Sequence, residues 1–121
     1  LSVKNAIINL SNIKKKNFKK YVLLGDMLEL GNKSNFYHKN LSQIINNTDI
    51  DKVFVYGDKV LATYKHIKKS KKGSILRQKK EFDDIFSKII KKGDYLMVKG
   101  SNATGLNEIT NNIIKGAINV I

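Results

Sequence analysis

Apolar positions in this chain recur at two intervals, and the alternation between them predicts helices and strands in turn. Val3, Ala6, Ile7, Leu10 and Ile13 or Lys14 follow helical spacing behind Ser2, a residue suited to cap a helix. The lysines of residues 14–17 stand where that helix should end, which its dipole favours. Residues 20–25 then bring four consecutive apolar side chains, Tyr21, Val22, Leu23 and Leu24, the pattern of a strand buried on both faces. Tyr37, Leu41, Ile44 and Ile45 mark a second helix that starts near Ser34 or Asn35. Asp51 leads into a second strand, Val53, Phe54, Val55 and Tyr56, closed by Gly57. Asp58 opens a third helix with Leu61, Tyr64 and Ile67 inward, and it runs out in the basic turn 68–72. Gly73 precedes a short third strand at 74–77. The most regular amphipathic helix follows, with Phe82, Ile85, Phe86, Ile89 and Ile90 on one face. Asp83 and Asp84 fall in its first turn, Lys91 and Lys92 in its last, and Gly93 just beyond. Residues 95–98 form the fourth strand, and Leu106, Ile109, Ile113, Ile114 and Ala117 line a fifth helix.

Strands alternating with helices imply a Rossmann-like, doubly wound α/β fold, a mainly parallel sheet with helices on both faces. Right-handed crossovers leave few arrangements, and the doubly wound order of the four strands is 3-2-1-4, with the first and fourth side by side. Ligands of such sheets bind beyond the carboxyl ends of the strands, where the winding direction reverses. Two glycine-bounded polar loops belong at that point, Gly25-Asp26-Met27-Leu28-Glu29-Leu30-Gly31 and Lys99-Gly100-Ser101-Asn102-Ala103-Thr104-Gly105. The second runs from a strand end into a helix start, whose unpaired N–H groups favour an anion. Lys99, Ser101 and Asn102 add directed donors there. An ordinary βα turn has the same outline; the convergence of two such loops is what argues for a site.

Composition narrows the setting. At 121 residues the chain is long enough for one domain with its own core, and 41% hydrophobic with 27% charged residues is a globular balance. No apolar run approaches a bilayer span, and no signal peptide is visible. Cysteine is absent, which removes disulfides, thiolate nucleophiles and cysteine zinc sites and suits a reducing cytoplasm. The chain starts at Leu1 and enters a helix almost at once, so we expect a piece of a longer protein. The net charge of +13 raises nucleic-acid binding as an alternative. Against it, Arg77 is the only arginine, and the lysines are spread over helix faces and turns without interleaved aromatics.

Known catalytic patterns are missing. No G-x-G-x-x-G follows the first strand and no G-x-x-x-x-G-K-[ST] occurs, so neither a dinucleotide nor the phosphates of ATP have a cradle in this stretch. A nucleotide-binding Rossmann-like domain of some other enzyme is therefore a second alternative without its fingerprint. His38 and His66 have no metal-ligand spacing, and each reads as a surface or helix-start residue. Asp26 and Glu29 form a candidate acid pair, although a loop aspartate more often caps its own turn. There is no nucleophile–base pair. The domain reads as part of an active site.

At the two loops the sequence resembles a known family. Leu24-Gly25-Asp26-Met27-Leu28-Glu29-Leu30-Gly31, with His38 seven residues on, is similar to a hallmark of the C-terminal domain of the MurF ligases, the UDP-N-acetylmuramoyl-tripeptide–D-alanyl-D-alanine ligases. Val98-Lys99-Gly100-Ser101 resembles that family's second hallmark, and Asp51-Lys52-Val53 with Gly57 matches its pattern. Ser2, Ala6 and Leu10 resemble the helix after the family's Asn-Pro hinge. The likeness covers nearly the whole chain, residues 1–121, with the N-terminal and central ATP-binding domains absent. It departs at Asn102, where the family usually has arginine, and at Leu106, where methionine is common. The resemblance implies an ATP-dependent peptide ligase of peptidoglycan precursor synthesis in the cytoplasm, of which this stretch alone would be inactive. ATP and magnesium would be held mainly by the central domain of the same chain. The substrates would be UDP-N-acetylmuramoyl-tripeptide and D-alanyl-D-alanine, with neither specific nucleic acid nor membrane insertion involved. Lys99, Ser101 and Asn102 would bind substrate, supported by Gly25, Asp26, Glu29, His38 and Gly100, and no catalytic or metal-binding residue would lie in this stretch.

Overall fold

The structure is a computed structural model that describes residues 2–14, 17–27, 33–101, 105–113 and 119–120. Ser2 caps the first helix, α1 (Val3–Asn12), by accepting a hydrogen bond from the Asn5 N–H at 3.2 Å. Strand β1 (Lys20–Gly25) follows, buried at every residue. Next come α2 (Ser34–Asn46), β2 (Lys52–Tyr56), α3 (Leu61–His66) and, after a 3₁₀ turn at Lys69–Lys71, β3 (Lys72–Leu76). Helix α4 (Lys79–Asp84) continues as a π-helix over Ile85–Ile89, and β4 (Tyr95–Lys99), α5 (Leu106–Ile113) and β5 (Asn119–Val120) complete the order.

The sheet is parallel throughout, in the order β3-β2-β1-β4-β5. The first and fourth strands are neighbours, as the winding argument requires, with Leu23 opposite Val98 and Leu24 opposite Lys99. The fifth strand was not expected. Asn119 and Val120 pair with Tyr95 and Leu96, while Ile114 and Ala117, assigned to the fifth helix, lie outside the described residues.

Because successive strand residues point to opposite faces, the buried strands feed two cores. On one face Val3, Ile7 and Leu10 of α1 and Leu41 and Ile45 of α2 cover Val22, Leu24, Val53, Val55 and Met97. On the other, Phe82, Ile85 and Leu106 cover Tyr21, Leu23, Phe54, Leu96 and Val98. Each fully buried aliphatic or aromatic side chain contributes about 1.5–3 kcal/mol. At the amino edge of the sheet, the Asp51 and Asp94 carboxylates accept the backbone N–H groups of Lys20 and Lys19, both at 2.8 Å, which fixes where β1 begins.

Several local expectations are corrected. Helix α1 ends before the lysines: Ile13 is already extended, with ψ 121°, so that the chain can turn back into β1. Helix α3 starts at Leu61, not Asp58; Leu61, Tyr64 and Ile67 do face the core, the first two half-buried, and Thr63 is the helix's buried position. Gly73 lies inside β3 and not before it, beneath the Phe54 ring, where a Cβ would come within 2.5 Å of that ring. In α4 the first-turn acid is Glu81, whose carboxylate accepts the N–H groups of Arg77 and Gln78, both at 2.8 Å; Asp83 and Asp84 come later. The π-turn then advances the helix by one residue, which leaves Ile89 41% exposed and buries Ile90. Lys91, Lys92 and Gly93 therefore fall in the turn beyond the helix, closed by the Asp94 N–H donating to the Lys91 carbonyl.

Candidate functional site

The loops after β1 and β4 meet at the carboxyl edge of the sheet. The Ser101 N–H donates to the Asp26 carbonyl at 2.9 Å, and Gly100 runs so close to β1 that a Cβ there would stand 3.1 Å from the Gly25 Cα. Two loops singled out on sequence alone are thus tied together.

A third loop joins them. The Asp26 carboxylate, 8% exposed, accepts the Val60 N–H at 2.7 Å through Oδ1 and the Asp58 N–H at 3.2 Å through Oδ2. It caps the turn that leads into α3 and not its own turn. Gly57 makes room for it: its φ is +130°, and a Cβ there would lie 2.6 Å from the carboxylate. Asp26 is therefore a clamp between the β1, β2 and β4 loops, with both oxygens already engaged. The proposed acid pair with Glu29 lies outside the described residues, as does Asn102. The clamp's partners were missed in the sequence, although the signal was there, since a Gly-Asp pair ends both β1 and β2.

His38 is a helix-start residue, as one of its two readings has it, but it is not on the surface. It sits near the start of α2, 1% exposed, and is linked to Thr63 of α3. The Thr63 hydroxyl donates to the His38 carbonyl at 2.6 Å, so the 3.2 Å contact between its oxygen and Nδ1 needs Nδ1 to carry the proton. Nε2 is left buried with no hydrogen-bond partner among the described residues. Burial pushes the His38 pKa below its ordinary 6.5, against the pull of Asp26 and with the push of Lys59.

Lys99 is half-buried at the end of β4, and its ammonium forms no ion pair with the described residues. Strand alternation puts it on the face of Met97, over α1 and α2, whereas Leu106 opens α5 on the other face. The lysine and the helix start therefore flank the end of β4 from two sides. Ser101 is 7% exposed and sits inside the loop. Beyond Asp26 the edge opens into a cavity of about 370 Å³. Among the described residues no cluster of histidine, cysteine, aspartate or glutamate could hold a metal ion, and no helix is long and apolar enough to cross a membrane.

Several of the lysines serve the fold. The ammonium of Lys20 binds the Ser11 carbonyl at 2.8 Å and Asp49 at 2.9 Å. Lys52 donates to the Ser70 carbonyl and Lys71 to those of Thr48 and Ile50. Cations spent on carbonyls at turns are not a phosphate-binding stripe, and the nucleic-acid alternative is not favoured.

Fold and edge together define a Rossmann-like α/β domain whose three carboxyl-end loops are locked into one platform. No family model matches the chain. It is 33% identical over 104 residues to the UDP-N-acetylmuramoyl-tripeptide–D-alanyl-D-alanine ligase of Bacillus subtilis, covering 83% of this chain and 22% of that protein. With the ligase of the same name from Buchnera aphidicola it shares 32% over 102 residues, covering 79% of this chain and 21% of the relative. In fold it is similar to the MurF ligase of Thermotoga maritima, solved in complex with ADP, with a TM-score of 0.69 and 24% identity over 88% of this chain and 23% of that one. The chain is homologous to these MurF ligases, as a stretch that spans about a fifth of the length of the curated relatives it matches.

Proposed function

We propose that the chain is the C-terminal domain of an ATP-dependent ligase that joins D-alanyl-D-alanine to UDP-N-acetylmuramoyl-tripeptide, and that it acts as the closing, substrate-positioning part of that enzyme. In this reading ATP phosphorylates the tripeptide carboxylate, and the dipeptide amine attacks the acyl phosphate, forming the peptide bond and releasing phosphate. ATP and magnesium belong to a central domain outside this chain, in keeping with the missing P-loop.

The observation that supports the reading best is the tie between the Asp26 carbonyl and the Ser101 N–H, which joins the β1 and β4 loops beside the strand end that carries Lys99. An acyl phosphate must be kept from water, so a mobile domain with a preorganised edge fits the chemistry. The dipeptide brings a free carboxylate. Lys99, with Ser101 and Asn102, is assigned to receive it by a charge-assisted hydrogen bond. Gly25, Asp26, Glu29, His38 and Gly100 are assigned to hold the edge. The test is deletion: the complete ligase lacking residues 1–121 should form no product, and the 121-residue chain alone should release no ADP from ATP. Ligation that survives the deletion would refute the reading.

A further inference from the structure

Because the sheet is parallel throughout, every turn from a helix into a strand lies at its amino edge, away from the loops described so far. The turn into β1 carries Lys14 and Lys19, the turn into β3 Lys68 and Lys69, and the turn into β4 Lys91 and Lys92, all six exposed. Lysines spread along the sequence are thus gathered by the topology onto one face. The turns are joined to one another: the Asp51 N–H donates to the Lys20 carbonyl and the Tyr95 N–H to the Lys19 carbonyl, both at 2.9 Å.

The acids of this edge are committed inward. Asp94, 3% exposed, accepts the N–H groups of Lys19 and Lys91, both at 2.8 Å. Asp51 accepts the Lys20 N–H at 2.8 Å, and Asp49 pairs with the buried Lys20 ammonium at 2.9 Å. The outward charge is therefore positive. Two apolar side chains stand among the lysines. Phe18, 40% exposed, lies over Gly93 in the turn into β4, and Ile89, 41% exposed, ends the π-helix that leads into that turn. Exposed lysines around an exposed phenylalanine and isoleucine match an anionic lipid surface. The ammonium groups are drawn to lipid phosphates, their long stems let the charge rest at headgroup level, and the apolar side chains gain at the acyl boundary. A nucleic acid would use the charge but leave Ile89 in water, and the one arginine, Arg77, follows β3 at the opposite edge.

We propose that the amino edge is a peripheral docking face for anionic membrane lipids, resting on the bilayer surface without crossing it. The carboxyl edge with Lys99 then faces away from the membrane, so the proposal goes beyond the ligase reading and neither depends on the other. The test is co-sedimentation of the 121-residue chain, at physiological salt, with vesicles of phosphatidylglycerol and phosphatidylcholine in about equal parts and with phosphatidylcholine vesicles alone. The chain should pellet with the first and not with the second, and high salt should release it. Lys68→Gln combined with Lys69→Gln should weaken partitioning about 20-fold, at about fivefold per lysine. The same charge change at the opposite edge, Lys79→Gln with Lys80→Gln, should weaken it about twofold at most, because salt screens charges that lie far from the surface. Ile89→Ser should weaken vesicle binding about threefold and leave low-salt DNA binding unchanged. All five side chains are exposed, so the variants should keep the parent circular dichroism. No pelleting with the anionic vesicles, equal pelleting with phosphatidylcholine alone, equal losses in the two lysine pairs, or vesicle binding unmoved by Ile89→Ser would overturn the proposal. Release from the vesicles by duplex DNA at the same salt would overturn it too, and would assign the face to nucleic acid.

Discussion

Asp26 is the residue whose replacement best separates a clamp from a chemical role. In Asp26→Ala the Val60 N–H loses its 2.7 Å partner in a buried position, and the Asp58 N–H loses one at 3.2 Å beside the open cavity. A buried donor left unpaired costs about 1–3 kcal/mol, more when the lost partner was charged, so the Val60 amide should account for about 2–3 kcal/mol. Water in the cavity can reach the Asp58 amide, which holds its share to about 0.5–1 kcal/mol. Relief of the desolvated carboxylate offsets part of this, and the expected net loss is about 2–4 kcal/mol. Asp26→Asn keeps one oxygen for Val60 but sets an amide donor against the Asp58 N–H, so it should lose about half as much. The assay is urea unfolding followed by circular dichroism, with a lower midpoint and an unchanged slope. The Asp26 carbonyl survives both changes, so the Ser101 amide should retain its protection from hydrogen exchange relative to global unfolding. A loss in Asp26→Ala below about 1 kcal/mol would refute the clamp, since two engaged carboxylate oxygens cannot be removed that cheaply from a buried site.

Three further outcomes follow from particular contacts. Gly57→Ala combines a φ of +130° with a Cβ 2.6 Å from the Asp26 carboxylate; it should cost about 2–4 kcal/mol by the same unfolding assay, and a neutral change would contradict the packing of that turn. His38 has a folded pKa below its ordinary 6.5. Its contribution is therefore complete above pH 6.5 and drains away as pH falls from there through the lower folded value, because the unfolded chain takes up the proton first. Replacing His38 with glutamine should flatten the stability profile in that window, and an unchanged slope would remove His38 as its source. Binding of duplex DNA should be weak, independent of sequence and lost at physiological salt; tight binding of one sequence at that salt would restore the nucleic-acid alternative.

Much of the fold was legible because the buried strands announce themselves. Residues 21–24 are apolar without alternation, which reads as a strand buried on both faces, and the structure buries every residue of β1. Residues 53–55 and 96–98 gave the same message. The convergence of the β1 and β4 loops then followed from winding rules and needed no side-chain information. What was not legible depends on contacts across the sequence. The clamp between Asp26 and Val60 spans 34 residues, and nothing local to Asp26 distinguishes it from an aspartate capping its own turn. The burial of His38 was not legible because its partner, Thr63, lies 25 residues away in another helix. The π-turn at Ile85–Ile89 shifts the period by one, so a helical count carried Ile89 into the core when it belongs to solvent. β5 is two residues long, too short for any periodic signal.

Lys99 is the residue through which the proposed substrate-positioning role is tested most directly. In the complete ligase, Lys99→Ala should remove a charge-assisted hydrogen bond to the dipeptide carboxylate from a closed site. That is worth about 1.5–3 kcal/mol, or a fall of roughly 10- to 150-fold in catalytic efficiency toward D-alanyl-D-alanine. Affinities for ATP and for the tripeptide substrate should change little, because those sites are assigned to other domains. The measurement is the dipeptide dependence of phosphate release by the parent and variant enzymes, at a temperature where both stay folded. A selective loss in the dipeptide term is the expected result; an unchanged efficiency toward the dipeptide would contradict the account by taking Lys99 out of the site.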